Sequence, residues 1–327
     1  PPPPPPPPLF FLTIRRPPRP KLFPYTTLFR SAPASASKSA PAATGASYTI
    51  KIGNGQVETL PMPQGCLKFK ELIEASSDGQ ISVEVYPNQQ LGGDRELTEA
   101  TQMNNIQMCP PSSTPYCNFV SEFYVWDVPF LFENADQVKA IYANDELMEK
   151  YNQISIDKAG IRVLTYWMNG FRNVTCNGER HTPDDFKGLK IRTMENDLHL
   201  AAWIAIGANP TPMAFGEVYT ALQQKTIDAQ ENPNNTNYET KYYEVCDSTI
   251  QTKHIYTPYP VLMNEEFYQS LSDDLKTKVE EAAQQAADFE IDLCVSQDDE
   301  YKAKLAEAGC NVVELTDEER QIGRAHV

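Results

Sequence analysis

Between residues 48 and 315 the chain passes repeatedly from short alternating apolar runs to stretches of helix formers. That alternation restricts the fold more than any other feature. Residues 48–52 and 81–86 alternate as strands, and 67–76 between them reads as a helix stopped by Asp78-Gly79. The pattern continues with helices over 96–104 and 136–151, and an apolar, turn-like run at 127–132 separates those two. A strand follows at 161–167, and Thr182-Pro183 then offers a helix N-cap with proline at the first helical position. Residues 190–193 read as a strand, 198–206 as a helix closed by Gly207, and 215–224 as another helix. The distal part predicts a long helix over 273–294, a second over 301–308 capped by Gly309, and a last strand at 311–315. Strands alternating with helices predict α/β domains built on mostly parallel sheets.

The two ends do not share this character. Residues 21–31, KLFPYTTLFRS, read as the translation of a sequencing-library adapter, with Lys21 the one departure, and IGRAHV at 322–327 reads as the start of the opposite adapter. Residues 1–31 and 322–327 are therefore set outside the fold. The native chain is expected to start no earlier than about Ala32 and to stop near Gln321. Residues 32–47, APASASKSAPAATGAS, are too poor in large apolar groups to offset their ordering entropy, and read as a disordered Ala/Ser/Pro tether. Tethers of this composition follow the lipidated cysteine of bacterial surface lipoproteins. What is left suits two domains. We expect one from 48–169 with 258–297, and the other from 170–257 with 298–320.

Charge narrows the partners. The chain carries 28 basic and 44 acidic residues, a net charge of −16. Setting aside Arg15, Arg16, Arg19, Lys21, Arg30 and Arg324 leaves 22 basic residues and a net charge of −22. Such a surface repels nucleic-acid phosphates and anionic lipid, so neither is an expected partner. No run of 18 apolar residues is present to span a bilayer. The seven cysteines (Cys66, Cys109, Cys117, Cys176, Cys246, Cys294, Cys310) contain no CxxC pair. They read as small buried residues, with a Cys109–Cys117 bridge the alternative.

Enzymatic motifs are weak. Gly53-Asn54-Gly55 follows the first strand but lacks the third glycine of a dinucleotide fingerprint, and Pro61 and Pro63 are expected to block the receiving helix. His181, His199 and His254 are scattered, without metal-ligand or nucleophile spacing. No catalytic residue, metal or cofactor is expected. Arg192 differs. It lies in the strand Lys-Ile-Arg-Thr, and an arginine at the carboxyl end of an α/β strand points into the crevice where such folds bind ligands. Its planar fork matches a carboxylate. A surface salt bridge to an acidic neighbour is the plainer alternative. Downstream, residues 207–233 place a proline-fixed turn, the exposed-type aromatic Phe215, an amphipathic helix and a polar loop (Gln230, Glu231, Asn232) in fixed order.

Several longer stretches carry a family resemblance. They are YPNQQLGGDREL (86–97), DVPFLFEN (127–134), NGFRNVTCN (169–177), FKGLKIRT (186–193), GANPTPMAFGEVYTALQ (207–223) and NEEFYQSLSDDLKTKVEEAA (264–283). Over 48–320 the chain resembles the solute-binding proteins of TRAP transporters, the DctP type. The resemblance implies a two-lobed, periplasmic-binding-protein-like fold, each lobe a mostly parallel sheet flanked by helices, with the ligand cleft between them. It implies a monomer that works outside the cytoplasm, in the periplasm or as a cell-surface lipoprotein. That monomer would deliver a small organic acid to the small and large TRAP membrane subunits. In such proteins the arginine of the KIR strand clamps the ligand carboxylate, which falls on Arg192. A second arginine after Asn-Gly falls on Arg172, the asparagine of the QENP run on Asn232, and the aromatic that closes over the ligand on Phe215. Trp167 and Ser112 complete the candidate set. Members that bind sialic acid carry an acidic residue and an arginine where this chain has Ser112 and Pro115, so a smaller carboxylate is expected. An enzyme acting on the acid and a sensor module without a transport role are the competing readings.

Overall fold

The computed structural model describes residues 47–320; residues 1–46 and 321–327 lie outside the described residues, and with them both adapter-like segments and nearly all of the tether. The strands are β1 (Tyr48–Gly53), β2 (Ile81–Tyr86), β3 (Met108–Cys109), β4 (Ile161–Phe171), β5 (Asn173–Cys176), β6 (Lys190–Thr193), β7 (Asn209–Pro212), β8 (Ala229–Asn232), β9 (Ser248–Gln251), β10 (Tyr256–Asn264) and β11 (Asn311–Glu314). They form a five-stranded sheet, β2-β1-β3-β10-β4, and a six-stranded sheet, β11-β9-β5-β8-β6-β7.

Each sheet is parallel except for one strand, and the chain path explains which. β10 runs antiparallel to β3 and β4. β5 runs antiparallel to β8 and β9. These two strands are where the chain arrives from the opposite sheet. β4 ends at Phe171 and β5 begins at Asn173, so Arg172 alone separates the sheets on the outward crossing. The return runs from Gln251 to Tyr256, and the Arg172 N–H donates to the Ile255 carbonyl at 2.9 Å, tying the crossings together. The helix Asp273–Glu307 makes a third link. At about 1.5 Å per residue it is about 50 Å long. It packs on Pro61–Ser76 and β4, and further along on Asn234–Glu239 and β11.

Packing sets the element boundaries. In Pro61–Ser76, Cys66, Phe69 and Ile73 recur at helical spacing on the buried face. Contrary to expectation, Pro61 and Pro63 do not block this helix but lie in its first turn, where backbone N–H groups have no intrahelical partner. Ala282, Ala283, Ala286 and Ala287 of the long helix are small enough to bring it close to that neighbour. A single helix also replaces the two expected over 273–308. Residues 295–300 contain neither glycine nor proline, Glu300 and Lys304 pair at 2.7 Å, and Cys294, Tyr301 and Leu305 continue the buried stripe. The converse holds over 136–151. There Ala135–Tyr142 and Asp145–Ala159 are separate helices, because the Asn144 side chain caps the second by accepting from the Leu147 N–H at 3.1 Å.

β10 was masked in the sequence by Pro258 and Pro260. Both lie where it pairs with β4 alone, since β3 covers only Leu262 and Met263. All seven cysteines are buried free thiols, and Cys109 and Cys117 are not bridged.

The first sheet has a core on each face. Trp167 on β4 faces the layer under the helices Pro61–Ser76 and Asp273–Glu307, whereas Tyr166 and Met168 face an aromatic layer with Tyr116, Phe123 and Trp126. Glu290 sits fully buried in the first layer, and its Oε2 accepts from the Met168 N–H at 2.9 Å. Burial pushes its carboxyl from the ordinary 4.5 up to about 8, against the lowering effect of that hydrogen bond. Between those values the folded state holds a proton that the unfolded chain has released, so this group's contribution to stability falls as pH rises from 4.5 to 8. Glu290→Gln is expected to raise stability at pH 8 by more than about 1.4 kcal/mol, the worth of one pKa unit. At pH 4 it should change little; chemical denaturation at the two pH values measures the difference.

Candidate functional site

A cavity with about 120 Å³ of space open to water-sized groups lies between the sheets. The second lobe contributes Arg172, Arg192, Met213, Phe215 and Asn232, and the first contributes Gln56, Gln89, Asp94, Ser112, Asn169 and Tyr259. The crossing topology puts these groups together, because β4, β5, β6 and β8 all end at this junction.

Arg172 is the residue between β4 and β5 and is fully buried. Its Nε and Nη2 donate to the Glu231 carboxylate, and Nη2 also donates to the Glu231 carbonyl. Burial pushes the Glu231 carboxyl up, but Arg172 together with His254 outweighs it and holds the group well below the carboxylate range. His254 Nε2 lies 3.4 Å from Glu231 Oε2, and its Nδ1 is 2.8 Å from the Thr252 hydroxyl. Burial lowers the His254 pKa, so the imidazole is neutral at pH 7 and Arg172–Glu231 is the charged pair.

Arg192, on β6, is buried to 2 % exposure, yet among the described residues it pairs with no carboxylate. Its Nε donates to the Met213 carbonyl at 2.9 Å, and its Nη1 has no protein partner. Burial lowers its pKa to about 10, with Tyr242 opposing and Arg172 adding to the drop. At neutral pH it is still a cation. Burying a charge with no directly paired counter-charge is costly, so the geometry around Arg192 suits a negatively charged group in the cavity. Arg172 Nη1 is likewise buried without a protein partner.

Asn232 ends β8 and is 4 % exposed; its Nδ2 donates to Gln230 Oε1 at 2.7 Å and its carbonyl accepts from Asn237 Nδ2 at 2.9 Å. The expected polar loop of Gln230, Glu231 and Asn232 is therefore a buried strand, each side chain hydrogen-bonded to a neighbour. Phe215, half-buried, opens a short 3-10 turn (Phe215–Glu217) over the cavity. The adjacent Gly216 lies so close to the Gln89 side chain that an added Cβ would sit 2.7 Å from its Oε1. Ser112 caps the short helix Ser113–Tyr116 and lines the opposite wall.

Five of the six candidates thus meet at one cavity. Trp167 does not. It packs in the first lobe's core, where its ring approaches Gly65, and Asn169, further along β4 towards the crossing, lines the cavity instead. Asp94, which the sequence reading did not single out, also lines it. Its Oδ2 accepts from the Ser112 N–H at 3.2 Å. Burial pushes its carboxyl up to about 6, opposed by that N–H and by Arg192. The one signal in the sequence was the LGGDRE run, where Asp94 opens the helix Asp94–Gln102 at the end of a glycine turn.

The lobes are in contact around this cavity. Asn196 Nδ2 donates to the Thr114 carbonyl at 3.3 Å and to Asp127 Oδ2 at 3.2 Å, and His199 Nε2 lies 3.1 Å from Asp127 Oδ1. The Thr59 hydroxyl donates to Glu239 at 2.7 Å. A second groove is lined largely by apolar groups, among them Phe186, Trp203 and Leu315.

Residues 53–327 match the family described as bacterial extracellular solute-binding protein, family 7, the DctP family. The chain belongs to that family. It is 34 % identical over 276 residues to the C4-dicarboxylate-binding periplasmic protein DctP of Rhodobacter capsulatus, covering 83 % of this chain and 81 % of that protein. Its fold is similar to that of the sugar acid binding protein DctPAm from Advenella mimigardefordensis in complex with galactonate. The TM-score is 0.82 at 32 % identity, covering 85 % of this chain and 90 % of that one. It is also similar to a TRAP periplasmic solute-binding protein from Shewanella oneidensis with bound succinate, with a TM-score of 0.81, 33 % identity and coverage of 85 % and 91 %.

Proposed function

We propose that this chain captures a small organic acid between its lobes and delivers it, outside the cytoplasm, to an ion-driven carrier made of small and large TRAP membrane subunits. Arg192 is the anchor for the ligand carboxylate. Arg172 and Asn232 flank it, Phe215 covers it, and Ser112 forms part of the far wall. The observation that carries this reading is a buried guanidinium with no carboxylate partner, facing an interlobe cavity. The ligand stabilises the closed form because its carboxylate is held by the second lobe while the rest of the molecule meets the wall of the first, a population shift of the hinge type. We assign the first lobe to 48–169 with 258–297 and the second to 170–257 with 298–320.

Capture without turnover is supported by the family, whose matching members are described as solute-binding proteins. Relatives that carry succinate or galactonate make C4-dicarboxylates and sugar acids the classes to try first. A thermal-shift screen of mono- and dicarboxylates, sugar acids and keto acids tests the reading. The right acid at about a hundredfold excess over its Kd should stabilise the protein by about 2.7 kcal/mol. Recovery of the acid unchanged after prolonged incubation is the expected companion result; a converted product would favour an enzyme.

A further inference from the structure

We propose that the site selects acids with a single carboxylate and a hydroxylated chain, aldonate-type sugar acids, over C4-dicarboxylates, with Asp94 as the specificity-determining residue. This rests on the carboxylate-binding reading above and refines it.

The charges around the cavity set the limit. Two buried guanidinium groups face the cavity, but Arg172 is already neutralised by Glu231. Only Arg192 lacks a carboxylate, so the site compensates one ligand carboxylate and no more. Among the described residues the far wall offers no unpaired cation to hold a second. Its one cation, Arg95, is exposed and pairs with Glu99 at 3.2 Å. The acidic groups lining the cavity are Asp94, Glu96 and Glu195. A dicarboxylate with one end on Arg192 would direct its other charge towards these acids, and like charges brought together in a closed site repel strongly.

The same wall is well suited to hydroxyl groups. Asp94 Oδ2 is taken by the Ser112 N–H at 3.2 Å, whereas Asp94 Oδ1 accepts no hydrogen bond from any described residue. Gln56 donates to the Tyr259 hydroxyl at 2.5 Å through Nε2, which leaves its carbonyl oxygen free to accept. Gln89 closes the rim against Gly216. A hydroxyl of the ligand chain donating to an ionised carboxylate makes one of the stronger kinds of hydrogen bond.

Calorimetric titration of the whole chain with two panels at pH 7.5 tests this. The first panel is erythronate, gluconate, galactonate and gulonate; the second is succinate, fumarate and malate. The tightest aldonate should bind about tenfold or more tighter than the tightest dicarboxylate. In Asp94→Asn, which keeps an oxygen for the Ser112 N–H, aldonate affinity should fall about tenfold while succinate affinity holds or rises. A merely structural role for Asp94 would lower both together and overturn the assignment. A dicarboxylate as the tightest ligand of the unmodified chain would overturn the selectivity while leaving carboxylate capture intact. Failure of both panels to bind while a keto acid or simple monocarboxylate binds would overturn the selectivity and leave carboxylate capture intact; failure of every acid in the wider screen would remove the capture reading as well.

Discussion

Arg192→Ala should weaken binding of the tightest acid at least roughly 30-fold. Removing one partner of a buried, hydrogen-bonded charge pair costs about 2–5 kcal/mol, and each decade of affinity corresponds to about 1.4 kcal/mol. Arg192 belongs at the severe end of that range, because it has no internal carboxylate to take over and its Nη1 is aimed at no protein acceptor. The apo protein should lose little stability, and could gain some, because an uncompensated buried charge leaves with the side chain. That pairing of outcomes separates an anchor from a structural residue. Arg192→Lys should rescue poorly, since an ammonium cannot reproduce the planar fork or reach the Met213 carbonyl and the ligand together. Calorimetry on the three proteins gives the affinities. Unchanged affinity in the alanine variant would remove Arg192 as the anchor, and full rescue by lysine would mean that a point charge suffices.

The second large effect concerns the other arginine. Glu231→Gln should cost the ligand-free protein about 3–5 kcal/mol, because it leaves the Arg172 cation buried without its counter-charge. The neighbouring His254 cannot compensate, being neutral and basic rather than acidic. Acid titration provides a sharper check. The Glu231 carboxyl is held below its ordinary 4.5, so below that value the unfolded chain takes up a proton that the folded state refuses. Its stabilising contribution is therefore fully present above about pH 4.5 and is lost only as pH falls towards the lower folded value. The difference between unmodified chain and variant in urea denaturation should be constant from pH 8 to pH 5 and shrink below pH 4.5. A difference that shrank with rising pH would contradict the pair as described.

Much of this was legible in the sequence, and most of the strands that were not share one cause. Period-two and helical patterns read correctly where one face is buried and the other wet, as in β1, β2 and the helix Pro61–Ser76. They failed where both faces are buried, because burial on both sides erases the alternation. β8, with the sequence Ala-Gln-Glu-Asn, looked like a loop since nothing local reveals that Gln230, Glu231 and Asn232 are partnered by Asn237, Arg172 and one another. β9 and β10 are buried at every position and were missed for the same reason. Within the site, the residues that the family pattern singles out converge on the cavity. Trp167 and Asp94 were misjudged because how far along β4 the cleft begins, and which oxygen of Asp94 stays free, depend on the crossing between sheets and not on any run of residues.

A crystal structure with the tightest acid from the screen tests the central claim most directly. We expect the ligand carboxylate within hydrogen-bonding distance, about 3 Å, of the Arg192 guanidinium, with Asn232 beside it and Phe215 across the opening. Arg192 turned towards bulk solvent, or an uncharged part of the ligand lying against it, would contradict the account.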